Sequence, residues 1–182
     1  QARFHYRKAS NMNPDDSKLY YKIATTYINE KQYEPAIKQL QQALKIHRLQ
    51  PDFNHAMGIC MMETGRFKEA VEYYLLVLQA RPKNVKGWSA LLNCLLRAGM
   101  LEEAKHFANA AFDQTGEKPL FLFYRTAIYF AMGKTKEAIR QLEDAMDKAP
   151  KLVKKLIELD PGILRHPQVV DILARHKRSK DI

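Results

Sequence analysis

Apolar residues along this chain fall in stripes set among polar and basic residues, and the stripes end at glycine or proline. Near the start, Ala2, Phe4, Tyr6, Ala9 and Met12 form one stripe, which runs into Asn13-Pro14, a helix stop. Near the end, Val169, Ile172 and Leu173 form another at helical spacing, opposite Asp171, Arg175 and Lys177. Seven glycines and eight prolines punctuate the chain at intervals. Neither Asn-Gly nor Asp-Gly occurs, so helices joined by short turns are expected rather than β-hairpins.

Between these ends a short pattern recurs: YEPAI at 33, FKEAV at 67, LEEAK at 101 and TKEAI at 135. The alanines Ala36, Ala70, Ala104 and Ala138 are spaced 34 residues apart, and one more step back lands on Ala2. Other columns keep the same period. Ala9, Ala43, Val77, Ala111 and Ala145 are small or β-branched, as close helix approach requires. Gly65, Gly99 and Gly133 suit the left-handed residue that ends a helix, and Lys31 breaks that column. Pro14, Pro82 and Pro150 close second helices, with Arg48 and Gly116 as departures.

A 34-residue helix-turn-helix period with these columns resembles the tetratricopeptide repeat. Trp88, Leu91, Gly58, Tyr27 and Tyr129 are fragments of that family's first-helix signature, and Arg125 departs from it. The resemblance covers residues 1 to about 152 and implies an all-α superhelix, a solenoid of stacked helix pairs. The expected units are 1–16, the second helix of a repeat whose first helix is absent, then 17–50, 51–84, 85–118 and 119–152. Residues 153–182 leave the pattern and are expected to cap the stack. There Leu152, Leu156, Ile157 and Leu159 would cover the fourth repeat, and Ile172 is too bulky for an ordinary second helix. The helix over 168–177 is therefore expected to lean toward Leu120, Phe123 and Phe130, limiting the groove. The opening helix, lacking its cover at Phe4 or Tyr6, is expected to support end-to-end association of copies.

Composition changes this picture little. A formal charge of +10 favours acidic partners, but is also common in soluble proteins with no such partner. The longest apolar runs fall well short of the roughly 20 residues that span a bilayer. The basic tail, with Arg175, Lys177, Arg178 and Lys180, reads as a solvated terminus. The compartment is left open, with the cytoplasm slightly preferred.

Catalytic chemistry is not indicated. The six histidines are scattered without His-Glu-x-x-His spacing, and neither a phosphate loop nor a Gly-x-Ser-x-Gly elbow is present. Cys60 and Cys94 lie one repeat apart, too far for a disulfide between stacked equivalent helices, and read as buried core. Neither metal nor cofactor is expected, and the chain is read as a non-enzyme. Tyr27, Tyr33, Phe67, Tyr74, Trp88 and Tyr129 are assigned to the core.

The family resemblance implies a concave face lined by the first helices. It supplies the candidate contacts Tyr21, Thr25, His55, Ile59, Lys86, Asn93, Arg97 and Phe123, running from mixed polar to apolar. Such a lining suits a peptide better than a phosphate backbone, which needs a continuous basic track. The subtype that clamps a C-terminal carboxylate carries lysine, asparagine, asparagine, lysine and arginine where this chain has Tyr21, Thr25, Ala56, Lys86 and Ala90. Only Lys86 matches, so that subtype is disfavoured. The expected function is a scaffold that binds a protein or peptide segment along the concave face. The alternatives are a helical-repeat RNA binder using the basic surface, or a spacer or regulatory domain of a larger enzyme.

Overall fold

The computed structural model describes Tyr6 and residues 13–178, with side chains as far as His176. The expected strip at Ala2 and Phe4, the end-to-end contact it would support, and the basic side chains beyond His176 lie outside the described residues. Tyr6 itself is helical and half-buried, with the Lys22 ammonium 5.6 Å from its ring centroid.

All regular structure among the described residues is helical. The α-helices are α1 Ser17–Asn29, α2 Tyr33–Ile46, α3 Pro51–Glu63, α4 Phe67–Ala80, α5 Val85–Arg97, α6 Leu101–Gln114, α7 Leu120–Ala131, α8 Thr135–Lys148, α9 Val153–Leu159 and α10 Pro167–Arg178. Short 3-10 turns at Pro150–Leu152 and Pro161–Arg165 flank α9. The chain divides into two compact units, Gln1–Cys94 and Leu95–Ile182, with the division inside α5.

Local chemistry sets the helix ends. The Asp16 carboxylate accepts from the Lys18 N–H at 3.0 Å and caps α1. Pro51 opens α3, where a missing N–H costs nothing. The turn inside each helix pair is closed by a bond reaching five residues back: Gln32 N–H to Tyr27 O, Arg66 to Met61, Met100 to Leu95 and Lys134 to Tyr129, all 2.8 to 2.9 Å. This Schellman bond needs a left-handed residue just before its donor. Gly65 supplies it at φ 79°, and Lys31 adopts the same conformation at φ 57°.

In the first unit α1 packs on α2, α3 on α4, and α2 on α3. Ala36, Ala43 and Ala70 are fully buried, since small side chains let the helix backbones close together. The closest approach is at Gly58, where an added Cβ would lie 2.6 Å from the buried Tyr74 ring. Trp88 donates its Nε1–H to Pro82 O at 2.7 Å, fixing the turn before α5. Tyr27, Tyr74 and Trp88 are core, whereas Tyr33 and Phe67 are only half-buried. Cys60 and Cys94 are buried free thiols, and burial pushes Cys60 up to about 12.

In the second unit α6 packs on α7, α7 on α8, and α9 on α7. Its core joins Leu122, Phe123, Ala127, Leu142, Ala145 and Met146 to Leu156, Ile163, Val169 and Ile172 of the non-repeating segment. Here Tyr129 is half-buried. Ile163, in the Pro161–Arg165 turn, supplies cover that helical periodicity does not reveal. Leu152 contributes less than its apolar character suggests, being 38% exposed. The α10 helix is also tied to α8 by Arg175 with Glu143 at 3.4 Å and His176 with Asp147 at 3.1 Å. Such exposed pairs orient the helix more than they stabilise it.

Candidate peptide-binding face

In the first unit α1, α3 and α5 carry six of the candidate contacts. Tyr21 of α1 lies half-buried against Phe53 of α3, with ring centroids 5.0 Å apart and planes tilted 32°. Burial, then the Asp52 carboxylate, raises the Tyr21 phenol above its ordinary value, so it stays a neutral donor and acceptor. Thr25, one turn further on, donates its hydroxyl to Lys22 O at 2.8 Å, which leaves oxygen lone pairs to accept.

On α3, His55 is half-buried and meets the Tyr74 ring edge-on at 5.8 Å. Burial lowers its pKa; Asp52 opposes that shift, and Lys86 adds to it. Three consecutive first helices are thus coupled electrostatically: Tyr21 and His55 both feel Asp52, and His55 also feels Lys86. Asp52 in turn pairs with Arg81 at 3.0 Å. Ile59, half-buried, adds an apolar step one turn beyond His55, while α5 presents exposed Lys86 and half-buried Asn93.

The remaining two candidates are placed differently. Arg97 is exposed at the end of α5, in the second unit. Phe123 is fully buried, contrary to its expected role as a ligand contact. The reason is the segment after α8: Val169 and Ile172 of α10 and Leu156 of α9 share its core cluster and keep the ring from solvent. Phe130, two turns further along α7, is half-buried, with the His166 ring 5.0 Å away and tilted 33°. The apolar end of the expected groove is therefore filled by the chain itself.

Sequence reasoning did not single out Phe53 as a partner in this face. Phe53 is 3% exposed and serves as the platform for Tyr21, a role signalled only by two aromatics one repeat apart but out of column. Among the described residues no group of three or more His, Cys, Asp or Glu could hold a metal ion. No helix there is long and apolar enough to cross a membrane.

Paired helices with small-residue columns and a polar first-helix face define a helical-repeat scaffold of the kind that binds proteins. The chain belongs to the family described as the TT21 fifth ARM repeats domain, which matches residues 57–159, and residues 1–60 match the tetratricopeptide repeat. Tetratricopeptide repeat protein 21A of Mus musculus is 25% identical over 77% of this chain, and the 21B protein of Homo sapiens 25% over 75%. The chain spans only 11% of the length of each. The BBSome complex member BBS4 of Bos taurus is 27% identical over 63% of this chain and 22% of its own length.

Solved structures share the fold. A crystal structure of MamA superposes with a TM-score of 0.72 over 82% of this chain and 87% of that one, at 15% identity. YrrB, described as a TPR protein with an unusual peptide-binding site, gives 0.65 over 94% and 90%, at 16% identity.

Proposed function

We propose that this chain is a recognition segment of a larger assembly subunit, and that it seats an extended peptide or protein segment across α1, α3 and α5. The observation that carries this reading is the row of partly or fully exposed side chains Tyr21, His55 and Lys86 on three successive first helices, with Tyr21 held against Phe53 at 5.0 Å. Tyr21 and Ile59 offer apolar contact, Thr25, Asn93 and the neutral His55 imidazole hydrogen bonding, and Lys86 a basic end. A segment with an apolar residue toward Tyr21 and an acidic one toward Lys86 complements that order. A nucleic-acid backbone is disfavoured, because the Asp52 carboxylate interrupts any basic track. The relative named as a BBSome complex member supports work within a multi-protein assembly. Arg97, which belongs to the second unit, and Phe123, which is buried, are left out of this face.

The test is selection of binders from a random peptide display library on this chain, followed by calorimetric titration of the selected peptides. Tyr21→Ala and Lys86→Glu should each weaken binding about tenfold or more, a common size for a contact at the centre of an interface. Selected peptides that bind both variants as tightly as wild type would place recognition elsewhere.

A further inference from the structure

Two grooves occupy equivalent places in the two units, and their floors differ. In the first unit a groove of about 650 Å³ between α2 and α4 is lined by Leu44, Met57 and Leu76 among others. In the second unit a groove of about 520 Å³ lies over α7, between α6 and α8. Two repeat periods further along the chain, Phe112 stands for Leu44, Arg125 for Met57 and Asp144 for Leu76. Met57 is fully buried, so Arg125 brings a guanidinium to a position that the fold fills with an apolar side chain elsewhere.

That guanidinium is not satisfied by the protein. The Arg125 Nε is shut off from solvent and has no hydrogen-bond partner, and among the described residues no carboxylate pairs with the side chain. Its contact is the face of the Phe112 ring, 5.8 Å from the centroid. Asp144 lines the same groove, but Lys148 holds it at 3.1 Å. A half-buried cation without anionic oxygens costs desolvation that a ring face offsets only in part. For folding alone, methionine would serve better here.

We infer that this groove is a carboxylate-binding pocket for an acidic peptide segment. Arg125 takes the carboxylate of a glutamate or aspartate, while Phe112, Leu122 and Tyr129 seat the apolar stem beside it. The planar guanidinium fork matches a carboxylate's two oxygens. The charge balance selects the ligand class: Arg125, Arg140 and Lys148 face Glu137 and Asp144, leaving a surplus of one positive charge. That surplus balances one carboxylate, whereas a phosphate monoester, close to dianionic at neutral pH, would meet two lining carboxylates. The pocket involves none of the residues on α1 and α3 and does not rest on the function proposed above.

The test uses fluorescein-labelled hexapeptide libraries with a fixed central glutamate, glutamine or phosphoserine. These are titrated against the wild-type chain and Arg125→Met, with thermal unfolding of both proteins followed in parallel. The variant installs the residue that the first unit's groove already accommodates. The glutamate library should bind wild type, and both the glutamine library and the variant should bind about tenfold or more weakly, a difference of about 1.4 kcal/mol. The variant's unfolding midpoint should equal or exceed that of wild type. In the wild-type NMR spectrum, the Arg125 Nε–Hε signal should move during the glutamate titration, which tests the pocket even if the variant folds poorly. A stationary signal, equal binding of the glutamate and glutamine libraries, or an unchanged affinity in a folded variant overturns the pocket. Tighter binding of the phosphoserine library overturns the carboxylate assignment in favour of phosphate.

Discussion

His55 shows how a residue on the binding face can report its own surroundings. Burial first and Lys86 second hold its imidazole below the ordinary value of 6.5, and Asp52 opposes them only in part. As pH falls through 6.5, the unfolded chain takes up the proton before the folded one does. Stability is therefore complete above that value and declines as pH drops toward the lowered folded value. Replacing His55 with Gln should flatten the decline. The check is the urea midpoint of wild type and His55→Gln at about pH 7.5 and about pH 5. The gap between the two pH values should be smaller in the variant, and an equal gap would assign the acid sensitivity to other groups. Cys60 poses the opposite case, because burial pushes its thiol up to about 12 and keeps it protonated at neutral pH. It behaves as a small core residue.

The turns inside the helix pairs show which features of an element were readable in the sequence and which were not. The alanine columns and the glycines at 65, 99 and 133 carried the helical period openly, because close packing and a left-handed residue each restrict residue choice. Lys31 broke the glycine column in sequence, yet the backbone keeps the turn and holds Lys31 at φ 57°. A lysine there carries the steric cost of the left-handed region, which glycine escapes. Lys31→Gly should stabilise the chain by about 0.5–1 kcal/mol, the steric gain less the extra entropy of an unfolded glycine. Chemical denaturation measures this, and a destabilised variant would show that the Lys31 side chain makes a compensating contact. Other features had weaker signals. Arg125 was visible as a break in an apolar column, but only the folded structure shows that its Nε has no acceptor. Phe123 read as groove-facing because the family resemblance puts its repeat position on the concave face, while its cover comes from residues outside the repeat.

That cover carries the largest expected consequence for the molecule as a whole. A stack of helix pairs buries each face against the next pair, so its last pair needs a terminal element with one polar side. We propose that in the second unit α9, the Pro161–Arg165 turn and α10 fill this role. Leu156, Ile163, Val169 and Ile172 are buried in one cluster with Phe123, Leu142 and Met146, while Asp171 and Arg175 remain exposed. Burying each aliphatic side chain contributes roughly 1.5–3 kcal/mol, against which stands the entropy of ordering the segment. Deleting residues 153–182 should lower the unfolding midpoint and expose Phe123 with its apolar neighbours, and an exposed apolar patch of that kind promotes association. Sedimentation and thermal unfolding, followed over a range of protein concentrations, test both consequences. A milder variant, Ile172→Ala, should lose about 2–5 kcal/mol through the cavity it leaves while keeping the segment in place. A truncated chain that stays monomeric with the wild-type midpoint would mean that the repeats close their own end, and that burial of Phe123 beneath α10 contributes nothing to stability.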